Sequence, residues 1–177
     1  MPSNGGGGSG ARLERVISEA KYALYALVIY GDGDQDVIEY LRVSHNTLTR
    51  VSGPDVFVYW FEEWGGHPPV ILDRNGKNLL AANITRPDAL KLAQQLKIPP
   101  SKIPCVVFCR SLQDSDLVVY SLGRSSAAGH LGEHFQAILE AAANVASSAL
   151  DQQIRKRLLL GEKPPLAILP ELEKRLR

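Results

Sequence analysis

The sequence has little of what usually announces a function. Two cysteines in 177 residues cannot build a disulfide scaffold, and this usage predicts a reducing, cytoplasmic setting. Charge of neither sign dominates. The formal net charge is +1, without the basic field that holds nucleic acid, so no nucleic-acid partner is expected. No apolar run approaches the roughly 20 residues that span a bilayer, the longest being residues 22–30, so no membrane span is expected. The opening residues lack the basic and apolar regions of a signal peptide. There is no phosphate-cradling glycine loop, nucleophile elbow or kinase signature. The sequence therefore assigns no cofactor and no catalytic residue.

What is present is an ordinary core-forming composition, 45% hydrophobic and 22% charged. Residues 1–10 contain Gly-Gly-Gly-Gly-Ser-Gly, a flexible linker, native or appended. Leu13, Val16, Ile17 and Ala20 have helical spacing, and residues 22–30 read as a buried strand ending at Gly31. Asp32-Gly33-Asp34 makes a turn into a second helix that carries Val37, Ile38, Leu41, Leu48 and Val51 and stops at Ser52-Gly53-Pro54. Residues 55–61 read as another strand, and residues 70–83 as a hairpin about Asn75-Gly76, a dipeptide suited to positive φ at both central positions.

The organising stretch is residues 83–108. Thr85 and Asp88 form a capping box, with Pro87 in the first turn. Ala89, Leu92, Ala93 and Leu96 share one helical face. Ile103-Pro104 then leads into an apolar strand, Cys-Val-Val-Phe-Cys, with residues 117–122 as its antiparallel partner. A long helix follows from Ser125 or Ser126, with Leu131, Phe135, Ile138, Leu139, Ala142 and Val145 on one side. This alternation predicts an α/β sheet with helices on both faces.

The order of elements, with Ile-Pro before an apolar strand, resembles the thioredoxin-like fold over residues 11–146. The resemblance implies a central mixed sheet with helices on both faces, here with an inserted hairpin and a C-terminal helical extension. The domain reading is residues 1–10 as linker, 11–149 as thioredoxin-like domain and 150–177 as a helical or extended tail. A competing register places the family's proline at Pro69, before Val70-Ile71-Leu72. It then lacks the preceding helix and leaves a second hairpin and helix unused.

The family's proline loop sits beside its active site, which makes Ile103, Pro104 and Cys105 candidate binding residues. Its redox chemistry needs Cys-x-x-Cys at the turn after the central strand. That turn is Gly31-Asp32-Gly33-Asp34-Gln35-Asp36 here, with Asp32 and Asp34 as candidates and no thiol. Carboxylates suit a helix N-terminus, where Asp also caps. The alternating aspartates begin like a calcium loop, but Val37 and Val43 occupy its glycine and glutamate positions. No metal site is assigned.

Cys105 and Cys109 lie four apart on one strand, separated by about 13 Å of extended chain. A disulfide needs Cα atoms within about 7 Å, so the two cannot pair. A buried structural role is the plain reading of Cys105, and a lone reactive thiol the alternative. His130-Leu131-Gly132-Glu133-His134 matches a His-x-x-Glu-His zinc-hydrolase pattern, against the simpler reading of two solvated histidines at a helix start. Trp64, beside Tyr59, Trp60 and Phe61, is a candidate for an aromatic recognition rim.

Residues 147–160 read as a continuation of the long helix, through Leu150, Ile154, Leu158 and Leu159. Gly161 and Pro164-Pro165 stop it, residues 166–170 read as extended, and residues 171–177 as a short charged helix. The tail holds seven basic and four acidic residues. Its apolar positions either pack back on the domain or dock on a partner. The expectation is therefore a non-catalytic thioredoxin-like interaction or self-association module, with a protein partner or second copy met through residues 150–177. The alternatives are a single-cysteine thiol enzyme using Cys105 and, more remotely, a zinc hydrolase using His130, Glu133 and His134.

Overall fold

A computed structural model describes residues 14–15, 17–19, 21–60, 70–72, 78–80, 86–123 and 128–177. The protein is an α/β fold with a four-stranded mixed sheet. In chain order the elements are β1 (Leu24–Ile29), α1 (Gln35–Val51), β2 (Val56–Trp60), β3 (Val70–Leu72), β4 (Asn78–Leu80), α2 (Arg86–Gln95), β5 (Cys105–Cys109), β6 (Val118–Ser121), α3 (Ala128–Ala149), α4 (Gln152–Leu159) and α5 (Ile168–Leu176). Before β1, residues 14–15 and 17–19 are helical.

The sheet runs β2-β1-β5-β6. β1 and β2 are parallel, with Leu24 opposite Val56. β1 and β5 are antiparallel, with Ile29 opposite Cys105, and β6 continues the antiparallel run beyond β5. The two central strands are buried at every position. This is why both read as unbroken apolar runs rather than alternating ones. The antiparallel neighbour of β1 is thus the strand entered through Pro104, while the strand that follows Pro69 lies in a separate sheet. β3 and β4 form a separate two-stranded sheet, pairing Val70 with Leu80; the Asn75-Gly76 turn expected between them lies outside the described residues.

Each face of the sheet has its own apolar cluster. Leu24, Ala26, Val28, Val106 and Phe108 pack with Leu41 and Leu48 of α1 and with Leu131, Phe135 and Leu139 of α3. Tyr25, Leu27, Ile29, Cys105, Val107 and Cys109 pack with Ile17 and with Ala89, Leu92 and Ala93 of α2. The alternation follows from the pleat, which sends successive side chains to opposite faces. α1 lies close enough to α3 for Tyr40 and Phe135 to stack, 5.1 Å between centroids and 10° between planes. Gly132 faces the Tyr40 ring, and a Cβ there would stand 3.5 Å from it, an ordinary packing contact. Just past α2, Lys97 has φ 57° and the Ile98 N–H reaches back to the Ala93 carbonyl, a hydrogen-bonded helix stop with a left-handed residue.

The tail corrects two expectations. The long helix does not run on to residue 160: it ends at Ala149, and Asp151 caps a new helix by accepting from Ile154 N–H at 2.7 Å. Residues 166–170 are not extended. α5 begins at Ile168, and Pro170 lies in its first turn, where a missing N–H costs nothing. Leu158, Ile168, Leu169 and Leu172 are buried in the same cluster as α1 and α3. Full burial of such a side chain contributes about 1.5–3 kcal/mol, so the tail is part of the core. Arg155 of α4 also hydrogen-bonds the buried Asp55 carboxylate at the start of β2.

Candidate functional site

β1 delivers the chain to a tight turn that is closed by its own polar groups. Gly31 N–H donates to Asp34 Oδ2 at 2.8 Å, and Asp34 N–H donates to the Gly31 carbonyl at 3.2 Å. Asp34 stands at the N-cap of α1, and its carbonyl accepts from the Val37 and Ile38 N–H groups at 3.1 Å each. Its side chain makes no cap bond to the helix. The expected side-chain cap is therefore replaced by one that points backwards and pins Gly31. Gln35 Nε2 donates to the Asp32 carbonyl at 2.6 Å, fixing the turn from its other side.

Across from this turn stands Pro104, buried, with a cis peptide bond to Ile103. The Pro104 carbonyl accepts from Leu122 N–H at 2.8 Å, which ties the entry of β5 to the exit of β6. Between turn and proline lies an open cleft of about 100 Å³, walled by residues 33–37 on one side and by Pro104, Gly123 and Leu131 on the other. Of the residues singled out in the sequence, the fold brings Asp34 and Pro104 together here. Asp32 and Ile103 lie nearby in the chain but not on its walls. Trp64 lies outside the described residues. Gly123 and Leu131 were not foreseen. Their only signal was position, one just past the partner strand of Pro104 and the other on the apolar side of the long helix.

Cys105 follows Pro104 but belongs to the opposite side of the sheet. It packs with Ile29 and Val107, whereas Val37 and Leu131 of the cleft belong to the other cluster. Both cysteines are free and buried. Burial pushes each thiol up to about 12, with the negative charge of Asp114 adding to the effect at Cys109. A nucleophilic cysteine needs the reverse, a thiolate favoured near neutral pH. Tyr59 is likewise raised, by burial first and by the Asp88 carboxylate second.

The His-x-x-Glu-His residues lie on α3. His130 Nδ1 is 3.7 Å from Glu133 with both side chains well exposed, while His134 Nδ1 is 2.9 Å from the Tyr120 hydroxyl. One histidine is thus solvated as the simpler reading had it, and the other is engaged by β6. Among the described residues no group of three His, Cys, Asp or Glu side chains is placed to hold a metal ion. Nor is any described helix long and apolar enough to cross a membrane. Comparison with known proteins gives no significant match to a family model, a curated protein or a solved structure.

Proposed function

We propose that the chain is a thioredoxin-like module that binds a segment of another protein, or of a second copy, at the cleft between Asp34 and Pro104 and performs no dithiol chemistry. The observation that carries this reading is the sheet order β2-β1-β5-β6 with Pro104 leading β5 opposite the turn after β1. That is the arrangement the resemblance implies, with the proline loop facing the turn where the family's cysteines would stand. The turn here offers carboxylates and backbone groups instead, and Cys105 lies beneath the sheet rather than in the cleft. What remains is a concave, largely preformed site of the kind that receives a side chain or a bend of a partner.

Panning a displayed peptide library on the full chain tests the proposal, with Gly33→Trp as control. Gly33 lines the cleft and a Cβ there meets nothing within 4 Å, so a bulky residue is accommodated at the cleft wall without displacing the fold. The expected result is a set of peptides that bind the parent protein and bind Gly33→Trp at least about tenfold more weakly. Enrichment that is blind to Gly33→Trp would place binding elsewhere. Separately, turnover of a disulfide substrate by dithiothreitol should not rise above the uncatalysed rate. A rise abolished by Cys105→Ser would instead establish the thiol enzyme.

A further inference from the structure

A second cavity, larger than the cleft, lies at the other end of the sheet. It measures about 540 Å³, is open to solvent on one side, and is lined by the N-terminal helical residues, the entry to β1, the segment after β5 and the chain from Leu158 to Pro164. Its walls carry four cations, Arg15, Lys21, Arg110 and Lys163, against two carboxylates, Glu14 and Glu162. Ile17, Tyr22, Tyr25 and Leu158 give it an apolar lining. A volume of this size matches sites that enclose a small organic molecule.

Arg110 is the unusual member. It is 6% exposed, and a guanidinium so deeply placed normally has its donors satisfied. Nη1 donates to the Pro164 carbonyl at 2.9 Å, and Nη2 stands 2.8 Å from Asp114 Oδ2 as an ion pair, without hydrogen-bond alignment. Nε is buried and has no hydrogen-bond partner among the described residues. The head is thus held rigidly by the tail and by Asp114 while part of its donor fork remains unused. The surrounding cations are loosely committed. Arg15 is 3.9 Å from Glu19, and Lys163 is 4.0 Å from Asp114. Both cations are themselves well exposed, and contacts of that length contribute little and can exchange for a ligand. Lys21 reaches over the cavity to the Leu159 carbonyl at 2.9 Å, from a backbone at φ 57°.

We propose that this cavity binds a small organic anion, with its phosphate or carboxylate head at Arg110 and Lys21 and an apolar body against Tyr22, Tyr25 and Leu158. An Arg fork fixed in advance suits such a head, because bidentate charge-assisted bonds need its plane already oriented. Asp114 offsets part of the Arg110 charge, so Lys21, Arg15 and Lys163 supply the excess that favours an anion over a neutral molecule.

Calorimetric titration of the full chain with phenyl phosphate, benzoate, inorganic phosphate and benzyl alcohol tests the assignment. Phenyl phosphate or benzoate should bind one per chain and at least about tenfold more tightly than benzyl alcohol, with affinity falling as sodium chloride is raised. Inorganic phosphate, lacking the apolar body, should bind more weakly than phenyl phosphate. Arg110→Met should abolish binding but also frees Pro164 and Asp114, so two gentler variants decide the matter. Lys21→Gly removes the ammonium at a φ that glycine favours, and Ser18→Trp narrows the cavity from an exposed helical position. Each should weaken phenyl phosphate by about tenfold with unchanged thermal unfolding. Equal affinity for benzyl alcohol, or binding unchanged in both variants, would overturn the proposal, as would no binding of either organic anion at millimolar concentration.

Discussion

The two ends of the sheet are built on different plans. At the end where β1 leaves for α1, the polar groups satisfy one another within a few residues: Gly31 with Asp34, Asp32 with Gln35, Asp34 with Val37 and Ile38. At the other end the partners come from far along the chain. Asp55 meets Arg155, Arg110 meets Pro164, and Lys21 meets Leu159. The first end is a preformed turn with a shallow cleft, and the second a cavity whose walls exist only once the tail has docked. Local closure tolerates change, because each contact has neighbours that set the same geometry. Assembled closure is less tolerant where the partners are buried, as at Asp55 and Arg110, while the exposed contact of Lys21 with Leu159 can be lost at little cost.

Four measurements would break or sharpen that contrast. The largest effect is expected at the assembled end. Leu158→Ala empties a position that is 2% exposed and should cost about 2–5 kcal/mol in denaturant unfolding; a cost below about 1 kcal/mol would mean that the tail is not part of the core. Arg155→Ala leaves the Asp55 carboxylate buried without its cation and should cost about 2–3 kcal/mol. It is partly spared because Arg155 is itself about one-third exposed. A loss in the double variant with Asp55→Asn that equals the sum of the two single losses would show that the pair does not act as a pair.

The third concerns the thiols, one at each end of β5. Both are pushed up to about 12 by burial, against about 8.5 in an unfolded chain. Above that lower value the unfolded chain releases protons that the folded protein keeps. Stability is thus unaffected by the thiols below about pH 8.5 and falls as pH rises toward about 12. Urea midpoints measured from neutral to alkaline pH should decline, and the decline should be shallower in Cys105→Ala/Cys109→Ala. Parallel curves would remove the thiols from the account. The smallest effects belong to the turn. Asp34→Ala loses one hydrogen bond to Gly31 and should cost about 0.5–1.5 kcal/mol, while Gly33→Trp should stay within about 0.5 kcal/mol. A cost at Gly33 matching that at Leu158 would erase the distinction between the ends.

The same contrast explains what could be read from the sequence. The α/β class, the central strands, the α1 pattern and the hairpin of β5 and β6 follow from short-range periodicity, and the structure has them. Asp34 and Pro104 could be named because each lies at an element boundary with a distinctive residue. The break at Leu150-Asp151 was hidden by Leu150, Ile154 and Leu158, whose spacing continues a helix even though Asp151 is a good cap. Pro170 looked like a sign of extended chain because proline opens helices as readily as it ends them. Arg110 carried no signal. It follows a strand in a polar segment, and only the antiparallel course of β5 and the return of the tail make it a buried guanidinium.

Asp55 also sets an order of events. Its carbonyl accepts from Ala23 and Leu24 N–H groups at 3.1 and 3.2 Å, and its carboxylate receives Arg155 from 100 residues downstream. Three segments converge on one residue, and the last of them must cross by far the longer loop to arrive. Contacts with such sequence separation form late, since chain entropy is lost before they repay it. The Arg155 latch is then a brake on opening rather than a nucleus for closing. Its removal should leave the refolding rate nearly unchanged and speed unfolding, so the chain's persistence in the folded state rests on a contact that plays little part in getting there.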